Sequence, residues 1–149
     1  MHKPLYDFIR KAAQQLQPKT HLDIQRLIPM MVPAVQKVYD EWDQNADGYD
    51  EEKGHGGICD EIAEAIAGVL SSNGIEVSTI SNSIGDQHVY PVAQVADGVY
   101  EVDIHPYTYE SGGGYTWRKL PGVKFVPQHV KIALIDTDPA KYEELTSDW

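Results

Sequence analysis

The hydrophobic pattern of this chain changes its period near residue 74. Before that point, residues 4–17, 22–42 and 59–73 carry apolar side chains at the spacing of amphipathic helices, and Asn73–Gly74 is a helix stop signal. After it, apolar and polar residues alternate as they do in half-buried strands. The predicted strands are 75–81, 88–95, 99–104 and 129–136. Helices followed by consecutive strands predict an α+β fold, in which N-terminal helices precede a helix packed on an antiparallel sheet.

The segment 22–42 contains signals for both the start and the interruption of a helix. Thr20 is a predicted N-cap, and Asp23 three residues later completes a rough capping box. Pro29 and Pro33 lie inside the segment, where each removes a backbone donor and clashes with the preceding turn. The sequence therefore predicts a kink or a break there, with a cleaner helix after Pro33.

A tight turn is predicted at Asp97–Gly98, because these residue types accept the positive φ that short hairpins require. In that register His88 lies opposite residue 107 and Asp103 opposite residue 92. A direct contact between His88 and Asp103 does not follow from such a hairpin. Pro91 has no N–H, which predicts an edge or a bulge in the second strand, and a bulge would bring the two side chains closer.

Length and composition indicate one globular domain over residues 1–149, with a helical N-terminal part at 1–42 and a core at 54–136. No apolar run approaches the roughly 18 residues of a membrane span. Asp7 and Arg10 interrupt the N-terminal segment, so no signal peptide is expected. The expected location is the cytoplasm, although a secreted effector or a phage protein would have the same features.

The charge of the chain restricts its partners. Twelve Lys and Arg residues stand against 23 Asp and Glu residues, for a net charge of −11. This charge repels phosphate backbones and anionic lipids, so neither nucleic acid nor a membrane is an expected partner. The acidity mainly favours solubility, and a cationic substrate or partner is the alternative. The oligomeric state is left open.

Cys59 is the single cysteine of the chain and begins the third predicted helix, in the stretch GHGGICDEIAEAIAG at 54–68. A thiol at a helix N-terminus or beside a histidine is activated towards the thiolate that acts as nucleophile. Gly56 and Gly57 permit a sharp entry into the helix and leave the sulfur uncrowded. A buried, unreactive cysteine is the alternative interpretation.

A nucleophilic thiol needs a base, and the base needs an acceptor that orients it. His88 opens the second predicted strand, and Asp103 lies near the end of the third. Aspartate is disfavoured in strands, and a buried aspartate needs a partner. The pattern predicts Cys59 as nucleophile, His88 as general base and acid, and Asp103 as the residue that orients the imidazole.

The stretch from Gly57-x-Cys59 through the Gly74 stop to QHVYPVAQVADGVYEVDIHP at 87–106 resembles the core of the papain-like cysteine protease superfamily. It is most similar to the transglutaminase-like branch, and the resemblance covers about residues 54–110. The family has the same order of cysteine, histidine and aspartate. The resemblance implies a helix that begins at the cysteine, histidine and aspartate on successive strands, and strands staggered so that the two side chains meet.

Two departures from the family pattern concern residues around the predicted site. The tryptophan often found after the histidine is replaced by Val89–Tyr90, and Lys53 stands where papain-like peptidases carry a glutamine that donates to the oxyanion. The amide of Cys59 is one candidate donor to an oxyanion. The second candidate is Gln87 or the loop at 49–57.

Two loops carry further candidate residues. Residues 107–122 are predicted to be a long loop, and its aromatic residues form either a substrate wall or ordinary packing. These residues are Tyr107, Tyr109, Tyr115 and Trp117. Residues 43–54 imitate a calcium loop, but Gly54 stands where the bidentate glutamate should be. His55, Asp103 and His105 are a weak set of metal ligands near Cys59, so no metal and no other cofactor is expected.

The sequence as a whole predicts cysteine-dependent acyl transfer on an amide bond of a protein, peptide or other amide substrate. Water as the second nucleophile makes the protein a peptidase, amidase or deamidase, whereas an amine makes it a transglutaminase. We expect hydrolysis, because water is always present and no amine pocket is evident. A catalytically inactive binding or inhibitory module of the same fold is the first alternative, and a calcium-responsive interaction domain is the second.

Overall fold

The computed structural model describes residues 18–45, 58–81, 88–111 and 118–147. The helix predicted at 4–17 and most of the acidic loop at 43–54 lie outside these ranges. Within them the protein is α+β, as predicted, with helices and a four-stranded antiparallel sheet.

The first described helix, α1, spans His21–Asn45. Its start matches the predicted capping box, because the Thr20 amide donates to Asp23 Oδ2 at 2.8 Å and the Leu22 amide donates to Thr20 Oγ1 at 3.3 Å. The sequence predicts a kink or a break at Pro29 and Pro33, and of these the break is wrong, since the helix is continuous through both prolines. Its buried apolar face continues past the prolines, and this packing offsets the lost backbone donors. The buried residues are Ile24, Met31, Val35, Tyr39 and Trp42.

The second helix, α2, spans Cys59–Ser72 and begins and ends where the sequence predicts. Gly74 adopts a φ of +79°, and the Ile75 amide donates to Leu70 O at 3.1 Å, which closes the helix with a glycine stop. Residues on one stripe of α2 are buried against α1 and the first two strands: Ile62, Ala63, Ile66 and Leu70. The burial of this stripe fixes the orientation of the Cys59 end of the helix.

The main sheet has the strand order β1-β2-β3-β6, with all neighbours antiparallel. Its strands are β1 (Glu76–Ser81), β2 (Val89–Val95), β3 (Gly98–Ile104) and β6 (Val130–Asp136). All four strands were predicted. The predicted long loop at 107–122 is partly wrong, because a 3₁₀ turn at Pro106–Thr108 is followed by the short strands β4 (Glu110–Ser111) and β5 (Arg118–Lys119).

The β2–β3 hairpin turns one residue earlier than predicted. Val95 pairs with Gly98, so Ala96 and Asp97 form the turn. Gly98 follows with a φ of +148°. The pairing with β3 stops at Val92, next to Pro91, where β2 continues against β1 alone. The proline therefore lies at an edge on the β3 side, as predicted.

The start of α1 is fastened to this turn. The Ala96 amide donates to Lys19 O at 2.7 Å, and the His21 amide donates to Asp97 Oδ1 at 3.1 Å. The His21 ring Nδ1 also contacts Asp97 Oδ2. Three contacts thus join the first helix to the hairpin that carries the predicted histidine and aspartate.

Two hydrophobic clusters cover the two faces of the sheet. The larger one packs α1 and α2 on the sheet and includes Tyr39, Tyr109 and Phe125. The smaller one lies under the C-terminal helix α3 (Lys141–Thr146) and is centred on Tyr142. No helix within the described ranges combines the length and the hydropathy that crossing a bilayer requires.

We predict that Gly98→Ala destabilises the protein by about 2 kcal/mol or more, because the φ of +148° is strained for alanine and a Cβ there would lie 2.6 Å from Asp136 O. Gly68→Ala is the matched control. Gly68 is an exposed α2 residue with nothing within 4 Å of a built Cβ, so alanine should stabilise by about 0.5–1 kcal/mol. Urea denaturation measures both. Equal stability of the two variants would contradict the argument about Gly98.

Candidate active site

His88 and Asp103 are hydrogen-bonded to each other. His88 lies directly before β2, and its Nε2 is 2.5 Å from Oδ2 of Asp103 near the end of β3. Both side chains are largely buried, with 21% of His88 and 13% of Asp103 exposed. The carboxylate accepts the ring N–H, so it fixes which nitrogen of the imidazole carries the proton.

The shifted hairpin register explains this contact. Continued beyond Val92 and Glu101, the observed pairing sets Asp103 opposite Tyr90. His88 is two residues from Tyr90 and therefore on the same face of the strand, within diagonal reach of Asp103. A turn at Asp97–Gly98 would have placed the two side chains four positions apart, which is why the sequence left their contact open.

Cys59 lies on the other side of the same imidazole. The charge of Cys59 is among the causes that raise the pKa of His88, so the thiol lies near the ring. Because Nε2 faces Asp103, the nitrogen that remains for the sulfur is Nδ1. Nδ1 is buried and has no hydrogen-bond partner within the described residues. The structure therefore brings the three predicted residues together around one ring, and Cys59 itself is partly exposed.

The surroundings of His88 favour its charged form. Burial alone would lower the pKa of the ring, but the hydrogen bond to Asp103 and the contact with Cys59 outweigh it. Together they raise the pKa of His88 from 6.5 to about 10. A charged imidazole held by a carboxylate carries a positive charge and a proton that it can transfer.

Two further residues frame the histidine. The ring of Tyr90 stacks on His88 with centroids 5.8 Å apart and planes at 25°, so an aromatic residue lies against the imidazole. Burial and the nearby charge of Asp103 raise the pKa of Glu101, while His88 lowers it. Glu101 thus adds a carboxyl group to the field around the ring.

Glu110 is a functional-site neighbour that the sequence analysis missed. It is 3% exposed, and its Oε1 accepts a hydrogen bond from the Ile58 amide at 3.0 Å. Ile58 is the N-cap of α2 and offers no capping side chain. A carboxylate 52 positions away therefore caps the helix that begins at Cys59. The sequence gave no signal of this capping role, because Glu110 lies in a segment predicted to be a loop.

The predicted substrate wall is only partly compatible with the structure. Tyr107 is 59% exposed and stacks on His105 with centroids 5.0 Å apart. Tyr109 is completely buried in the main core, which corresponds to ordinary packing, the alternative to a substrate wall. The other candidates lie outside the described residues: Tyr115, Trp117 and the possible oxyanion donor Gln87.

The metal-site and calcium-loop alternatives can be compared with the described residues only in part. The described part of the chain contains no group of three His, Cys, Asp or Glu residues arranged to hold a metal ion. His105 instead accepts the Tyr107 amide on Nδ1 at 3.1 Å and caps the 3₁₀ turn. His55 and residues 46–54 of the acidic loop lie outside the described ranges.

Comparison with known proteins leaves the site to be judged on its own geometry. No protein-family model, curated protein or solved structure matches this chain.

We predict that the pair His88–Asp103 stabilises the fold below pH 6.5 and loses this contribution as the pH rises to about 10. The folded state holds the ring proton over this interval while the unfolded state has lost it, so the free energy of unfolding falls with pH. The slope is at most about 1.4 kcal/mol per pH unit.

Urea denaturation of Cys59→Ser and of Cys59→Ser/His88→Gln tests this pH dependence. The serine is present in both proteins, so no thiol titrates in either. The difference in stability between the two proteins should shrink as the pH rises above 6.5, over a narrower interval than in the wild type because the effect of Cys59 on the pKa of His88 is removed. A difference that stays constant with pH would show the prediction to be wrong.

We also predict that Glu110→Leu destabilises the protein by about 1–3 kcal/mol, because the buried Ile58 amide loses its acceptor. Glu110→Gln keeps the shape and one acceptor oxygen and should retain most of the stability. Thermal unfolding compares the two. If leucine is tolerated as well as glutamine, the cap contributes nothing to folding.

Proposed function

We propose that this protein performs cysteine-dependent acyl transfer on an amide bond through Cys59, His88 and Asp103. The observation that supports the proposal is a largely buried imidazole that bonds a carboxylate at 2.5 Å through Nε2, keeps Nδ1 without another partner, and has its pKa raised in part by the nearby Cys59. Nucleophile, base and orienting group are needed together for this chemistry.

The proposed reaction begins with attack of the Cys59 thiolate on the amide carbonyl carbon, which forms a C–S bond and a tetrahedral oxyanion. Protonated His88 gives its proton to the leaving nitrogen as the C–N bond breaks, and a thioester remains on Cys59. Neutral His88 then takes a proton from water, which attacks the thioester and releases the acid. The sulfur leaves as thiolate, and His88 is again protonated.

The second nucleophile decides the class of the enzyme. Hydrolysis by water makes the protein a peptidase, amidase or deamidase, and this is the reaction we favour because water is always available. An amine in place of water would transfer the acyl group and crosslink the substrate. Each reaction uses the same three residues.

The start of α2 provides a candidate hydrogen-bond donor for the developing oxyanion. The first intrahelical bond of α2 is donated by the Ile62 amide to Ile58 O at 2.9 Å, and the Cys59 amide precedes it at the positive end of the helix. An amide at this position is suited to donate to an oxyanion on the carbon that the sulfur attacks. The second donor, for which Gln87 is our candidate, lies outside the described residues.

We further propose that the fold is papain-like and of the transglutaminase-like branch. The support is the arrangement of Cys59 at the start of a helix that packs on an antiparallel sheet, with His88 and Asp103 on successive strands. The position of Tyr90 against His88 also supports it, since an aromatic residue occupies the neighbourhood of the family tryptophan.

Alkylation by iodoacetamide tests the proposal without knowledge of the substrate, because Cys59 is the single cysteine. We predict that the wild type reacts at neutral pH at least about tenfold faster than free cysteine, since a histidine-paired thiol holds more thiolate. His88→Ala should abolish this advantage, and Asp103→Asn should reduce it.

His105→Ala is the matched control, because this exposed histidine lies just after β3 and caps the 3₁₀ turn, and it should leave the rate unchanged. Acylation by p-nitrophenyl acetate, followed as release of one p-nitrophenolate per Cys59, then checks the acyl step. A wild-type alkylation rate equal to that of free cysteine would contradict the proposed enzyme activity and favour the inactive binding module.

A further inference from the structure

Tyr109 carries a buried hydroxyl that packing does not explain. The residue is 0% exposed, and its hydroxyl has no hydrogen-bond partner within the described residues. Leaving a buried hydroxyl unsatisfied costs folding free energy, and phenylalanine would fill the same space without that cost. The hydroxyl therefore has to be understood from what lies around it.

The backbone at Tyr109 is held close to the start of α2. The next residue, Glu110, accepts the Ile58 amide at 3.0 Å, and Ile58 directly precedes Cys59. The Tyr109 amide donates to Pro106 O at 3.1 Å, and its carbonyl accepts the Leu120 amide at 2.8 Å. These bonds fix the backbone of Tyr109 one residue from the carboxylate that caps the helix beginning at Cys59.

The charge of Cys59 acts on the phenol directly. The pKa of Tyr109 is raised well above 10.0. Burial of the phenol is the largest cause, and the charge of Cys59 is the second largest. The effect of Cys59 exceeds that of Glu110, which is adjacent in sequence. The hydroxyl therefore keeps its proton at neutral pH and is a hydrogen-bond donor near the sulfur.

The other charged groups around this space oppose a thiolate. Those that face Tyr109, besides Cys59, are the carboxylates of Asp60, Asp103 and Glu110. His88 is the positive group that contacts the sulfur. A neutral donor on a buried side chain adds to the stabilisation of a thiolate without a further charge.

We propose that Tyr109 is a positioning residue for Cys59, and that its buried hydroxyl donates a hydrogen bond to the sulfur when Cys59 becomes a thiolate. A charged acceptor makes a much stronger hydrogen bond than a neutral one. The hydroxyl thus has its partner when the nucleophile is charged and none in the resting thiol. This inference rests on the proposed function, because it assigns Tyr109 to the same site.

The test is the pH profile of Cys59 alkylation by iodoacetamide in Tyr109→Phe. Phenylalanine keeps every ring contact and removes only the hydroxyl. We expect the midpoint of the profile to rise by up to about one pH unit, which lowers the rate at neutral pH by up to about tenfold. The melting temperature should stay the same or increase. Tyr100→Phe is the control, because this tyrosine of β3 stacks on His21 at the start of α1 rather than on the site, and its profile should match the wild type.

The outcomes separate this inference from the proposed function. A wild type that reacts rapidly and depends on His88, with an unchanged profile in Tyr109→Phe, overturns the role of Tyr109 and leaves the proposed function intact. A slow wild type contradicts the proposed function itself. A Tyr109→Phe protein that fails to fold assigns the hydroxyl to folding and also overturns the inference.

Discussion

The hydrogen bond between His88 and Asp103 is the constraint on which the site depends. It joins two strands whose regular pairing stops before either residue is reached, at Val92 and Glu101. It also holds the imidazole so that one nitrogen faces the carboxylate and the other is left for Cys59. Burial alone would drive the ring to its neutral form, and the carboxylate reverses that tendency.

The start of α2 shows how a distant segment completes a local structure. The glycine-rich stretch before Cys59 provides no capping side chain, and an uncapped helix end in the core would leave the Ile58 amide without an acceptor. Glu110 supplies that acceptor from a strand that follows Asp103 in the chain. The segment after β3 therefore contributes to the placement of the nucleophile as well as to the core.

The sequence was sufficient to predict the elements of this fold because their signals are local. The period of the apolar residues located α2 and the four main strands, and Asn73 and Gly74 marked the helix end. Pro29 and Pro33 misled the prediction, since their cost is local whereas the packing that carries α1 through them is not. The one-residue error at the hairpin turn arose because Gly98 uses its positive φ as the first residue of β3 and not within the turn.

The candidate site was predictable in part for the same reason. The order of Cys59, His88 and Asp103 along the chain suggested their roles, but their meeting depends on a register that turn propensity alone did not settle. Glu110 and the burial of Tyr109 depend on long-range packing, and no short pattern in the sequence encodes them.

The attachment of α1 to the β2–β3 turn has a consequence for the accuracy of strand pairing. A hairpin that slipped by one residue would reverse the faces of His88 and Asp103, and nothing in two strands alone forbids this. Such a slip would also pull Ala96 and Asp97 away from Lys19 and His21. The N-terminus of α1 thus favours the native register of the hairpin, because a sheet in a shifted register loses its contacts with this helix.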